Sequence, residues 1–122
     1  MDRQSRQILQ KTMRFLSLKG YQVLTEFALP NKKRVDIIAI NSKKKIIIVE
    51  VKSNKKSLRV DKKWKHYLSY CNYFFFAVNG SLKLKDYSNN VGVIQNSQKG
   101  TKIVKKSNYK NISESKKKLF DF

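Results

Sequence analysis

The sequence predicts an α/β domain. A central mixed β-sheet is flanked by helices, with elements in the order α-β-β-β-α-β over roughly residues 3–80. Three observations carry this reading. A helical apolar period opens the chain, three β-branched runs joined by short turns follow, and a second helical period separates the third run from a fourth.

Residues 3–19 suit an amphipathic helix, with Ile8, Leu9, Met13 and Leu16 on one face and Gly20 as its stop. "YQVLTEFAL" then alternates as a strand and closes in the turn "PNKK". "RVDIIAIN" and "KIIIVEVKS" are the second and third strands, joined as a hairpin through "NSKK". In "DKKWKHYLSYCN", Trp64, Tyr67, Leu68 and Cys71 recur at i, i+3, i+4 and i+7, the pattern of a half-buried α-helix, with Asp61 at its start. "YFFFAV" is a fourth, buried strand that can lie parallel to another because a helix precedes it. Beyond Gly80 the pattern weakens. "VGVIQ" and "TKIVKK" read as two short strands joined through Lys99-Gly100, and "SESKKKLFDF" as a terminal helix capped by Ser113. One domain, 1–122, accounts for the length.

The 122 residues carry a net charge of +20 and a single cysteine. Such a field attracts polyanions. Lysine outnumbers arginine 23 to 5 and asparagine reaches 10, a profile that an A/T-rich genome also produces, so charge alone does not decide. Cys71 excludes an internal disulfide and fits a reducing compartment. No apolar run approaches the ~20 residues of a membrane span. The N-terminus lacks a signal-peptide core. The expected setting is the cytosol, with no membrane contact.

The eight acids are the informative residues. Only four fall between positions 3 and 85, and three of these, Glu26, Asp36 and Glu50, lie inside expected strands, where acids are disfavoured. Alternation puts Glu50 and Lys52 on one face of their strand. A hairpin centred near Lys43, with Ser42-Lys43-Lys44 as its loop, sets Ile40 against Ile46 and Asp36 against Glu50. Facing carboxylates repel unless something offsets their charge. A divalent cation such as Mg²⁺ or Mn²⁺ does so, taking one or two carboxylates plus water and phosphate. Lys52 beside it would aim a second positive charge at the same phosphate. The competing reading is a same-face surface ion pair between Glu50 and Lys52; Asp36 on the partner strand favours the metal.

Asp36…Glu50-x-Lys52 within this element order resembles the PD-(D/E)XK nuclease superfamily, with its restriction-endonuclease-like core. "TEF", "RVDIIAI", "IVEVKS", "DKKWKHYLSYC" and "FFAV" resemble more closely the MmcB-like DNA-repair proteins, a group regarded as nucleases. The resemblance implies Asp36 and Glu50 as metal ligands, Lys52 as the catalytic lysine and Glu26 as an accessory acid. Two departures stand out: Val35-Asp36 replaces the superfamily's Pro-Asp, and Cys71-Asn72 replaces the family's Cys-Asp.

Lys32, Lys33, Arg34, Lys55, Lys56, Lys62 and Lys63 flank the expected site and are candidate contacts to DNA phosphates, against the alternative that they are merely solvated. Lys62 and Lys63 gain weight from a helix N-terminus. Trp64 and Tyr67 are better read as core than as base-stacking residues, and the lone His66 as a surface residue. The expected function is Mg²⁺- or Mn²⁺-dependent cleavage of DNA in repair or recombination, in the bacterial cytosol or nucleoid, selective for DNA structure rather than sequence. The alternatives are a DNA-binding module of the same fold and a non-enzymatic scaffold. Oligomeric state is open between monomer and homodimer.

Overall fold

The computed structural model describes residues 1–53, 63–80, 90–113 and 116, with only the backbone of Lys63. Helix α1 spans Arg3–Leu18, and the strands are β1 (Gln22–Ala28), β2 (Arg34–Ile40), β3 (Ile46–Val51), β4 (Tyr73–Asn79), β5 (Gly92–Ser97) and β6 (Gly100–Lys105). They form one six-stranded sheet in the order β1-β2-β3-β4-β5-β6. The β3–β4 and β4–β5 pairs are parallel and the other three antiparallel, so the sheet is mixed as expected.

Helix α1 starts where Asp2 accepts a 2.7 Å bond from Ser5 N–H. It ends in a Schellman motif. Gly20 N–H donates to the Ser17 carbonyl and Tyr21 N–H to that of Leu16, with Gly20 at φ +93°. Its apolar stripe, including Ile8 and Leu16, buries one sheet face: Ile37, Ala39, Ile47, Val49, Phe75, Ala77 and Ile94. A polar tie accompanies it. Buried Asn96 donates to Thr12 Oγ1 and the Val78 carbonyl and accepts from Thr101.

The opposite face is covered by Lys63–Tyr70, where the sequence predicts an α-helix and the structure has a 3-10 helix. The reason lies in the spacing. Trp64, Tyr67 and Tyr70 stand three apart, which stacks them on one face of a three-residue turn. Trp64 and Tyr67 pack over Phe74, each with ring centroids 6.2 Å away. Both are therefore core residues. Cys71 is buried beside them, and burial pushes its thiol up to about 12, so it is inert at neutral pH. Asp61 and most of the expected terminal helix lie outside the described residues, but Lys116 is helical and its N–H donates to Ser113 Oγ at 3.3 Å, as the expected cap requires.

Two hairpins share one turn design. In Leu29–Lys33 and Asn41–Lys45, a three-residue loop ends on a lysine in the left-handed region, Lys32 at φ +68° and Lys44 at φ +61°. Asn41 Oδ1 accepts from Lys43 N–H and Lys45 N–H, which fixes the second turn and pairs Ile40 with Ile46. This is the register expected from the sequence.

Asn72 answers the question its departure raised. It lies just before β4, near Ile46, at the end of the sheet away from Glu50 and Lys52. Its side chain accepts from Ile46 N–H at 2.8 Å and donates to the Lys110 carbonyl at 2.9 Å, tying β3 to the segment after β6. Asn72→Ala would leave both backbone groups without that partner, costing about 2–3 kcal/mol. Asn72→Asp should cost less, and less again at acidic pH, where a protonated carboxyl regains a donor. Urea melts of the three proteins at neutral and mildly acidic pH check both statements.

Gly92 sits where β5 crosses Phe75. A Cβ there would run into the Phe75 ring and come within 2.7 Å of Ser107 N. Gly92→Ala should therefore destabilise the fold by about 1–3 kcal/mol, read from a shifted denaturation midpoint.

Candidate functional site

The β2–β3 ladder runs from Ile40↔Ile46 to Ile37↔Val49 and then changes character. At the next position two side chains replace the backbone rung. Glu50 Oε1 accepts from Asp36 N–H at 3.1 Å, and Asp36 Oδ2 accepts from Val51 N–H at 2.8 Å. Each carboxylate thus uses one oxygen to hold the other residue's strand. Asp36 and Glu50 are both half-buried.

The opening of this rung is prepared on the other side of β2. The β1–β2 register pairs Thr25 with Ile37 and Phe27 with Val35, and the position between, Glu26 beside Asp36, drops out of the ladder. Glu26 has φ +50°, a left-handed backbone that a non-glycine residue rarely adopts. Its carbonyl accepts from Arg34 Nη1 at 3.0 Å. Both strands change phase at this point. Leu24 and Ile38 pack under the 3-10 helix, and so do Phe27 and Val35, which regular alternation would send to the other face. The paired break in the pleat is what aims the Asp36 N–H at Glu50 rather than along the ladder.

Lys52 follows β3 on the Glu50 side. Its N–H donates to the Ala77 carbonyl at 2.9 Å, so β4 fixes its backbone. Its Nζ lies 6.0 Å from the centroid of the Phe76 ring, and Phe76 pairs with Glu50 across β3–β4.

The Asp36 carboxyl feels the charge or hydrogen bond of Glu26, Glu50 and Lys52. Burial pushes the Asp36 carboxyl above the ordinary aspartate value. The Val51 N–H and the Lys52 ammonium draw it down, the Glu26 carboxylate pushes it up, and the Glu50 hydrogen bond lowers it. Glu26 itself is exposed. Among the described residues no group of three or more His, Cys, Asp and Glu side chains is placed to hold a metal, so Glu26 acts on Asp36 by its charge.

Lys32, Lys33 and Arg34 lie on the exposed turn leading into β2, at the same end as Asp36. Asn31 ties this turn to the 3-10 helix by donating to the His66 carbonyl. Lys55, Lys56, Lys62 and the Lys63 side chain lie outside the described residues. No helix among the described residues is long and apolar enough to cross a membrane. The residues that sequence reasoning passed over are the backbone of Glu26 and the Phe76 ring beneath Lys52; neither has a local sequence signal.

A solved structure of a protein of unknown function from Silicibacter pomeroyi superposes with a TM-score of 0.88 at 22% identity, covering 97% of this chain and 81% of that one. At that identity the likeness establishes the fold. No curated protein matches. The family model for DNA repair protein MmcB-like matches residues 2–121, nearly the whole chain. The chain therefore belongs to the MmcB-like DNA repair protein family.

Proposed function

We propose that the protein hydrolyses DNA phosphodiester bonds with the help of Mg²⁺ or Mn²⁺, at the Asp36–Glu50–Lys52 rung. The observation that carries this is the exchange of carboxylate–backbone bonds between Asp36 and Glu50, with the Lys52 charge reaching Asp36. Burying an acid in a sheet is costly, and burial is the main cause of the raised Asp36 pKa, with the Glu26 charge adding to it.

The donor set fits the cation. Two hard carboxylates at a strand end match the usual protein share of a Mg²⁺ site, with water and phosphate completing it. Asp36 and Glu50 would hold the ion, which when bound polarises a phosphoryl oxygen and acidifies a water. Lys52, its backbone fixed by β4, would neutralise charge developing on the phosphate. Lys32, Lys33 and Arg34 would hold the backbone of the DNA beside the site, reading phosphates and not bases. Selectivity would then follow DNA structure.

The test is incubation with labelled nicked, flapped, branched and single-stranded DNA, with and without Mn²⁺. Metal-dependent cleavage of at least one form supports the reading. Tight DNA binding with no cleavage of any form would replace it by a binding module of the same fold.

A further inference from the structure

A second feature lies on the other face of the sheet, at its opposite end. A groove of about 490 Å³ is bordered by Tyr21, Tyr73, Lys43, Lys45 and Lys106, over an apolar base of Ile47 and Phe75. Register sets it apart from the acids. Ile47 and Tyr73 pair at the start of β3 and β4, whereas Glu50 pairs with Phe76 further along and faces the 3-10 helix side.

Tyr109 adjoins the groove through two of its lining residues, Tyr73 and Lys45. Tyr109 is 46% exposed, yet its ring packs on Tyr73 at 5.3 Å. Lys45 Nζ donates to Tyr109 Oη at 2.7 Å and lies 4.9 Å from the ring centroid. Tyr109 Oη in turn donates to Asn111 at 2.8 Å. Ile103, 41% exposed, adds apolar surface beside it. Among the described residues no carboxylate lines the groove.

We propose that this groove binds an unpaired DNA strand, at a site separate from the cleavage rung. The two requirements for such binding are present together. Fixed tyrosine rings offer platforms for bases, and the surrounding lysines follow the phosphates. A duplex shows phosphate and sugar at its surface, so it cannot use the rings. Charge complementarity favours a polyanion, and the tyrosine pair favours one that carries flat bases over an acidic peptide. Ring positions fixed by Lys45 and Tyr73 reduce the ordering cost on binding.

The inference does not rest on the cleavage reading, because it is tested by equilibrium binding in EDTA. Fluorescence anisotropy of a labelled oligothymidylate with the full chain should show binding that weakens at least about fivefold in Tyr109→Leu, the scale expected for one lost stacking contact. Blunt duplex affinity should stay unchanged in that variant. Lys43→Glu with Lys106→Glu, both exposed positions, provides a second variant that leaves the tyrosine pair alone. It should weaken binding more than Lys99→Glu with Lys102→Glu, an equal charge change on the β5–β6 hairpin. Photo-cross-linking of an iodouracil oligonucleotide should map to Tyr21, Tyr73 or Tyr109. Wild-type affinity in Tyr109→Leu, cross-links confined to other regions, or equal competition by a polyglutamate peptide would each overturn the proposal.

Discussion

Lys52→Ala should lower the single-turnover rate of DNA cleavage by roughly two to three orders of magnitude, the scale seen when one preorganised charge-stabilising donor is removed. The structure explains why the effect should fall on rate and not on folding. The Lys52 backbone is held by its bond to the Ala77 carbonyl, which alanine retains. Its side chain is half-buried over Phe76, and its charge acts on Asp36. A lysine that only paired with Glu50 on a strand surface would cost about 1 kcal/mol or less of stability and leave chemistry alone. DNA affinity should change little, because one phosphate contact among many is lost. Lys52→Arg should rescue poorly, since a planar guanidinium does not replace a compact ammonium. Cleavage by the alanine variant within about threefold of wild type, with folding and binding intact, would remove Lys52 from the chemistry.

Asp36→Asn should abolish metal-dependent cleavage while DNA binding is kept or strengthened, because a negative charge leaves a phosphate-binding surface. Its stability should move the other way. The folded-state pKa of Asp36 is raised, chiefly by burial. A folded state that holds a proton more tightly than the unfolded state is favoured at low pH and loses that advantage as pH rises through the folded pKa. Ionised Asp36 therefore destabilises the metal-free protein at neutral pH. Asparagine keeps an oxygen for the Val51 N–H and carries no charge, so in EDTA the variant should melt higher than wild type. The difference should shrink as the pH falls. Mg²⁺ or Mn²⁺ should raise the wild-type melting temperature by mass action, the stabilisation being about 2.7 kcal/mol at a hundred times the dissociation constant. The variant should show little of that gain. A variant that melts lower in EDTA, or responds fully to metal, would contradict the assignment.

The Asp36–Glu50 juxtaposition was legible because short-range chemistry sets it. An asparagine-anchored three-residue turn at Ser42–Lys44 and the match of Ile40 to Ile46 leave one sensible pairing. The helix cap at Gly20 and the parallel placement of β4 were legible for similar reasons. The phase change at Glu26 was not. "TEF" alternates like any strand, and the left-handed torsion is set by Arg34 and the neighbouring strand, not by local preference. The 3-10 helix escaped because Trp64 and Tyr67 satisfy both helical periods, and only packing on Phe74 decides between them. The tyrosine–lysine groove draws on residues 21, 41–47, 73–75 and 103–107, which nothing in the chain order links.

The strand order carries a consequence for how the molecule is made. Among the described residues every strand pairs only with its neighbours in sequence. Such a topology keeps loop closures short, which favours rapid folding. Asp36 and Glu50, fourteen residues apart, are brought opposite each other by the Ser42–Lys44 turn. During synthesis that hairpin can form before β4 has emerged, since folding proceeds from the N-terminal side. Lys52 cannot be fixed so early, because its anchor is the Ala77 carbonyl. The two acids and the lysine are thus completed in separate steps, and a nascent chain would hold its acid pair before it could use it.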